Sequence, residues 1–190
     1  MKNVPFETDK YYHIYNRGNN REKIFIEEEN YNYFLNLITK YLLPILDVYS
    51  FCLLPNHFHL IIKMKETKFL PQDIKLHQSF SNLFNAYTKA INKKYNRRGS
   101  LFQEHLKRIE IKNTKYLQSL IVYVNTNSIH HEIADYKNYP FSSFKALISD
   151  KNTHLKRNQV IKLFDSVENF KYMLENKKMN LEVIQNLVFE

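Results

Sequence analysis

The sequence is poor in the residues on which several common kinds of site depend. It contains one cysteine, Cys52, and only two glycines among its 190 residues. A single cysteine excludes an internal disulfide and any zinc site built from pairs of cysteines. Two glycines are too few for the glycine-rich loops that bind nucleotide phosphates. The sequence therefore excludes most nucleotide-dependent enzymes.

Long apolar runs are lacking as well. The longest candidate, residues 49–62, is interrupted by Pro55, Asn56 and two histidines, and a membrane-spanning helix needs about 18 consecutive apolar residues. Residues 1–10 contain no apolar run that would serve as a signal sequence. We therefore expect a cytoplasmic protein that has no membrane partner.

Basic residues are abundant and unevenly distributed. The chain has 28 Lys and Arg against 19 Asp and Glu, which gives a net charge of +9. Residues 89–115 contain nine of these basic residues and only two acidic ones. Concentrated positive charge favours polyanionic partners through counterion release, although solubility alone is an alternative explanation. Because the 14 Tyr and 14 Phe could also stack on bases, nucleic acid is the leading candidate partner.

The order of apolar patterns predicts an α+β protein. Alternating residues predict strands at 11–17, 45–53, 57–65 and 106–112, and helical spacing predicts helices at 28–43, 73–95 and 113–127. This βαββαβ order is typical of a ferredoxin-like antiparallel sheet with helices on one face. A loop at 128–143 and further helical patterns follow. We therefore expect a main domain over residues 1–143 and a helical C-terminal extension over residues 144–190.

The third predicted strand carries two histidines, His57 and His59, separated by Phe58. Alternate strand residues point to the same side, so both imidazoles should lie on one face of the sheet, which we expect to be open. Two adjacent imidazoles form half of a metal site. The alternative is a pair of half-exposed strand histidines, because this spacing also arises by chance.

The predicted helix at 113–127 could supply a third metal ligand and a nucleophile. Its core stripe leaves Tyr123 and Asn127 together on one flank, four residues apart. An asparagine carbonyl is a suitable oxygen ligand, and a phenol beside a metal ion is a plausible nucleophile. For Tyr123 alone, an aromatic residue at the edge of the core is the alternative.

These residues carry a resemblance to a known family. Residues 54–59, Leu-Pro-Asn-His-Phe-His, resemble the His-hydrophobe-His signature of the HUH endonucleases, and Tyr123 falls where the single-tyrosine transposase branch has its nucleophile. Four further segments resemble the REP-associated tyrosine transposases, also called IS200-like transposases: residues 13–19, 97–103, 116–117 and 139–144. The matches occur in the same order as in the family and together cover about residues 11–144.

The resemblance implies a metal-dependent DNA strand transferase or endonuclease that acts on single-stranded or hairpin DNA through a 5′-phosphotyrosine intermediate. Tyr123 would be the nucleophile, and His57, His59 and Asn127 would bind Mg²⁺ or Mn²⁺. The family usually has Asn-Pro where this chain has Asn127-Ser128. Ligand softness alone would also permit zinc or another late metal.

The expected DNA contacts come from basic residues of the first predicted strand and of residues 89–115: Arg17, Lys93, Lys94, Arg97, Arg98, Lys107 and Arg108. The protein would act as a monomer or homodimer and associate with the nucleoid when bound to DNA. A domesticated protein that binds hairpin DNA without cutting it is the main alternative. A metal-dependent hydrolase of small phosphoesters would need more carboxylate ligands and less basic charge.

Overall fold

Four antiparallel strands form the central sheet of the computed structural model, which describes residues 5–176. The strands are β1 Tyr11–Arg17, β2 Leu46–Leu54, β3 His57–Met64 and β4 Lys107–Ile111, and their order across the sheet is β2-β3-β1-β4. β2 and β3 form a hairpin through Pro55 and Asn56. The topology confirms the predicted ferredoxin-like α+β fold.

Seven α-helices accompany the sheet in residues 5–176: α1 Glu28–Tyr41, α2 Leu76–Lys94, α3 Thr114–Asn125, α4 Asn127–His130, α5 Phe144–Leu147, α6 Arg157–Leu163 and α7 Val167–Glu175. α1 and α2 pack on one face of the sheet, where Ile14, Phe58 and Leu60 belong to their core. α3 packs on the opposite face, against Cys52 and Ile61. The expectation that this second face is open is wrong, because α3 and the chain after it cover the sheet there.

The C-terminal part of α3 differs from the sequence-based prediction. Asn113 caps its first turn by accepting a hydrogen bond from the backbone N–H of Tyr116. The helix ends at Asn125, and the N–H of Thr126 is shared between the carbonyls of Val122 and Tyr123, as is common at helix ends. α4 then adds one more turn, so the predicted helix to residue 127 is two pieces.

The helices of the predicted extension share a core with α3. Phe144, Val160, Phe164 and Phe170 are all buried in it. The side chain of Ser166 caps α7 by accepting the backbone N–H of Asn169. Residues 177–190 of the extension lie outside the described residues, and the domain boundary at residue 143 stays a prediction. In the described part of the chain, no helix is long and apolar enough to cross a membrane.

A buried polar network joins α3 to the sheet and to Ser143, the residue directly before α5. The amide nitrogen of Asn125 donates to the hydroxyl of Ser50 at 2.9 Å, and its oxygen accepts from the hydroxyl of Ser143 at 2.7 Å. Ser143 also accepts the backbone N–H of Phe51 at 3.0 Å. All three polar residues of the network are completely buried. The network fixes the end of α3 relative to β2.

Candidate active site

The pairing of β1 with β3 assembles the site. Arg17 lies directly opposite His57, Tyr15 opposite His59, and His13 opposite Ile61. Directly opposed residues of an antiparallel pair share a face, so β1 contributes a row of three polar side chains beside the two predicted histidines. His57 and His59 do face the same side, with ring centroids 5.2 Å apart. Both are buried, which half-exposed strand histidines would not be.

Four imidazoles form two hydrogen-bonded pairs at this site. His59 Nδ1 lies 2.9 Å from Nε2 of His13, and His57 Nε2 lies 3.1 Å from Nε2 of His131. The other ring nitrogen of His57, Nδ1, lies 2.6 Å from Oδ1 of Asn56. His13 and His131 were not among the residues predicted from the sequence. Each histidine of the predicted pair therefore has its own imidazole partner.

The electrostatics of the cluster favour neutral imidazoles. Burial lowers the pKa of His13 to about 3, and burial together with the charges of His131 and Arg17 lowers the pKa of His57 to about 3. Burial, followed by the neighbouring charges, also places the pKa of His59 well below its ordinary value. Metal ligation needs neutral imidazole, so these side chains are in the required state at neutral pH.

Arg17 is a cation beside these neutral rings. Its charge contributes to the lowered pKa values of His57, His59 and His131. Its Nε is buried and has no hydrogen-bond partner among the described residues, and no carboxylate there forms an ion pair with it. Because a buried guanidinium nitrogen without an acceptor is unfavourable, the site is suited to an anionic ligand.

Tyr123 reaches the histidine pair from α3. Its ring stands edge-on to the ring of His59, with centroids 5.9 Å apart, and stacks on His130 at 5.4 Å. The side chain is half-buried, whereas its neighbours Val122 and Val124 are buried. This agrees with the position on the helix flank that the sequence predicts.

Asn127 is completely buried, and neither polar atom of its side chain has a hydrogen-bond partner among the described residues. Its backbone carbonyl accepts the N–H of His131, so it lies one turn before the imidazole that contacts His57. A buried amide without partners is costly, which makes an unpaired oxygen here a candidate ligand.

The donor set fits a divalent cation without selecting one. Within residues 5–176, no group of three or more His, Cys, Asp or Glu side chains is arranged to hold a metal ion. A cation would therefore depend on His57, His59 and an amide oxygen, and the unpaired Oδ1 of Asn127 fits that need. Imidazole nitrogens suit zinc and other late metals, whereas an amide oxygen suits Mg²⁺ and Mn²⁺.

The basic residues predicted to contact DNA differ in their surroundings. Lys94 forms ion pairs with Glu27 and Glu29, and Arg97 forms one with Glu22. Arg108 lies over the ring of Phe6, with its guanidinium carbon 4.5 Å from the ring centroid. The other three predicted DNA contacts within residues 89–115 are exposed: Lys93, Arg98 and Lys107. Partners such as Glu22, 75 residues away from Arg97, are not visible in the sequence pattern.

A solved structure of known type shares this architecture. One solved structure, a REP-associated tyrosine transposase bound to a REP hairpin, superimposes with a TM-score of 0.63 at 15% sequence identity, covering 79% of this chain and 86% of that chain. A crystal structure of a "putative transposase" from Deinococcus radiodurans R1 is 13% identical, with a TM-score of 0.41 over 70% of this chain and 99% of that chain. No curated protein matches. The first of these likenesses shows a common fold.

A family model described as "Transposase IS200 like" matches residues 7–127. The matched segment contains β1, the histidine pair of β3, Tyr123 and Asn127. Because this segment is more than half of the sequence, the chain belongs to the IS200-like transposase family.

Proposed function

We propose that the chain is a metal-dependent DNA strand transferase and endonuclease that acts on single-stranded or hairpin DNA through a 5′-phosphotyrosine intermediate. Membership of the transposase family supports a DNA substrate. The solved relative with the same fold carries a REP hairpin, which supports hairpin DNA in particular. The observation that carries the chemistry is the tyrosine ring of α3 lying 5.9 Å from the ring of His59.

His57, His59 and Asn127 would hold the cation, Mg²⁺ or Mn²⁺. When bound there, a divalent cation supplies positive charge that stabilises the negative charge developing on the scissile phosphate. The unpaired amide of Asn127 and the lowered pKa values of the two buried imidazoles support this assignment.

The hydroxyl oxygen of Tyr123 would attack the phosphorus of the target phosphodiester. A bond between the tyrosine oxygen and phosphorus forms, and the bond from phosphorus to the 3′-oxygen breaks. The proton lost by the phenol balances the proton gained by the departing 3′-hydroxyl. Because the new phosphodiester keeps the bond energy, a second 3′-hydroxyl can reverse the step and rejoin strands without ATP.

Arg17 would bind an oxygen of the phosphate that enters the site. Its guanidinium has no carboxylate partner in the described residues and stands beside the histidine pair. A phosphate offers the planar, two-point acceptor that a guanidinium prefers. The exposed Lys93, Arg98 and Lys107 would follow the backbone of the DNA outside the site.

One observation favours the alternative of a hairpin-binding protein without cleavage. The Nε2 atom of His57 is already in contact with His131, and His59 is completely buried. A cation would have to displace the contact between His57 and His131 before it could bind. In a pure binding protein that contact would simply persist.

The two functions differ in whether DNA becomes covalently attached. Hairpin oligonucleotides selected by binding from a randomised pool, labelled at the 3′ end, are incubated with the protein and Mn²⁺ or Mg²⁺ and run on a denaturing gel. We expect a labelled protein adduct for the wild-type chain and none for Tyr123→Phe, with unchanged hairpin affinity. Tyr116→Phe, on the same helix, serves as the control and should retain the adduct. Tight binding without any wild-type adduct would establish the alternative.

A further inference from the structure

We propose that His13 is a positioning residue that sets the tautomer of His59, leaving the Nε2 lone pair of His59 available to a cation. The inference rests on the metal site of the proposed function. It concerns a residue on a different strand, outside the predicted ligand set, and it assigns a role to His13, the one buried side chain among the three polar residues that β1 contributes to the site.

The geometry holds the two imidazoles against each other. His13 Nε2 and His59 Nδ1 are 2.9 Å apart, and both side chains are completely buried. Their rings are close to parallel, with an interplanar angle of 19°. The ring of Tyr15 lies against both, with centroids 5.0 Å from His13 and 5.8 Å from His59. Little freedom is left for either ring to turn.

A count of protons limits this pair to two arrangements. Two neutral imidazoles carry two N–H groups on four nitrogens, and the hydrogen bond between them uses one N–H. If His59 donates from Nδ1, its Nε2 keeps a lone pair, and the proton of His13 sits on Nδ1. If His13 donates from Nε2, the proton of His59 sits on Nε2, where it blocks ligation. Only the first arrangement can bind a cation.

The tautomer of His57 is fixed by a different group, the side chain of Asn56. Its Nδ1 lies 2.6 Å from Oδ1 of Asn56, and a carbonyl oxygen can only accept, so Nδ1 of His57 carries the proton. Metal-binding histidines ordinarily donate their second N–H to such an acceptor, which fixes the tautomer and the ring orientation. His13 occupies the equivalent place for His59, with the difference that an imidazole acts as acceptor only while its facing nitrogen is unprotonated.

The test compares variants of His13 by their affinity for Mn²⁺, measured without DNA from the electron paramagnetic resonance signal of the free ion. His13→Phe keeps a flat ring but cannot accept a hydrogen bond, and we expect its affinity to fall by about 10–100-fold. His13→Gln supplies a carbonyl acceptor and should stay within a few-fold of wild type. His154→Phe replaces an exposed histidine before α6 and should match wild type.

A spectroscopic readout keeps the inference testable even where a variant fails to fold. Histidine ¹⁵N spectra of the wild-type chain loaded with Mg²⁺ should show that Nδ1 of His59 carries a proton and that Nε2 of His59 carries none. Protonation of His59 at Nε2 in that state would overturn the inference, as would wild-type affinity in His13→Phe or equal losses in His13→Phe and His13→Gln. A wild-type chain that binds no Mn²⁺ at all would remove the metal site itself, a result distinct from these.

Discussion

Arg17 and His57 are direct cross-strand partners, so a guanidinium and a candidate metal ligand stand side by side on one face of the sheet. Burial lowers the pKa of His57, and the arginine charge adds to that effect. The guanidinium has no carboxylate partner in the described residues. A phosphate between the two groups would satisfy the arginine while its other oxygens remained within reach of a cation.

This relationship gives the first prediction. Arg17→Gln should weaken hairpin binding and reduce the slope of log affinity against log salt by about one unit, because one phosphate contact is lost. Arg17→Lys should restore part of the affinity, since it keeps the charge without the planar fork. Fluorescence anisotropy over a salt series measures both. A loss confined to particular DNA sequences would instead assign Arg17 to base recognition.

Arg97 and Arg98 are neighbours with different surroundings, and they should respond differently to substitution. Arg98 is exposed without an ion pair in the described residues, whereas Arg97 is paired with Glu22 and hydrogen-bonded to Asn92. Arg98→Ala should lower the salt slope of DNA binding by about one unit, and Arg97→Ala should lower it less. Equal slopes for both variants, measured by the same titration, would show that the ion pair opens on DNA.

Because Asn127 is predicted to be a metal ligand, removing its side chain and replacing it by a carboxylate should change the metal affinity in opposite directions. Asn127→Ala should reduce Mn²⁺ affinity while costing little stability, because it removes a buried amide that has no partner in the described residues. Asn127→Asp should raise the affinity for Mg²⁺ and Mn²⁺, since a carboxylate is a stronger ligand for hard cations. Calorimetric titration and thermal unfolding measure the two effects. Unchanged Mn²⁺ affinity in both variants would exclude this residue from the site.

The buried imidazoles predict a pH dependence for the metal-free chain. His13 has a pKa of about 3 in the folded state, and an unfolded histidine titrates near 6.5. The unfolded state therefore binds a proton that the folded state does not, and stability falls as pH drops below 6.5 towards 3. Each such group contributes about 1.4 kcal/mol per pH unit in that range.

Urea unfolding in the presence of a chelator, between pH 7 and pH 4.5, measures this loss. The carboxylates titrate in the same range in every variant, so the informative quantity is the difference between wild type and His13→Phe. We expect a shallower decline for the variant. Parallel curves would mean that His13 is already charged in the folded protein.

The sequence predicts the elements well because each strand and helix follows its own local period. It predicts the shared side of His57 and His59 for the same reason, since they lie two residues apart on one strand. It could not identify His13, because its place beside His59 depends on the register between β1 and β3, which is set by the assembled sheet. His131 was missed because it follows a one-turn helix that no periodic pattern marks.

The polar network of Asn125 fixes the end of the helix that carries Tyr123. Asn125 is two residues beyond the tyrosine, and its side chain is bound to Ser50 of β2 and to Ser143, the residue directly before α5. An exchange of α3 between two identical copies of this chain would re-form the same bonds with the partner's Ser50 and the partner's Ser143. The network therefore fixes the end of the helix that carries Tyr123 against a sheet of the same sequence, whether that sheet belongs to its own chain or to a second copy.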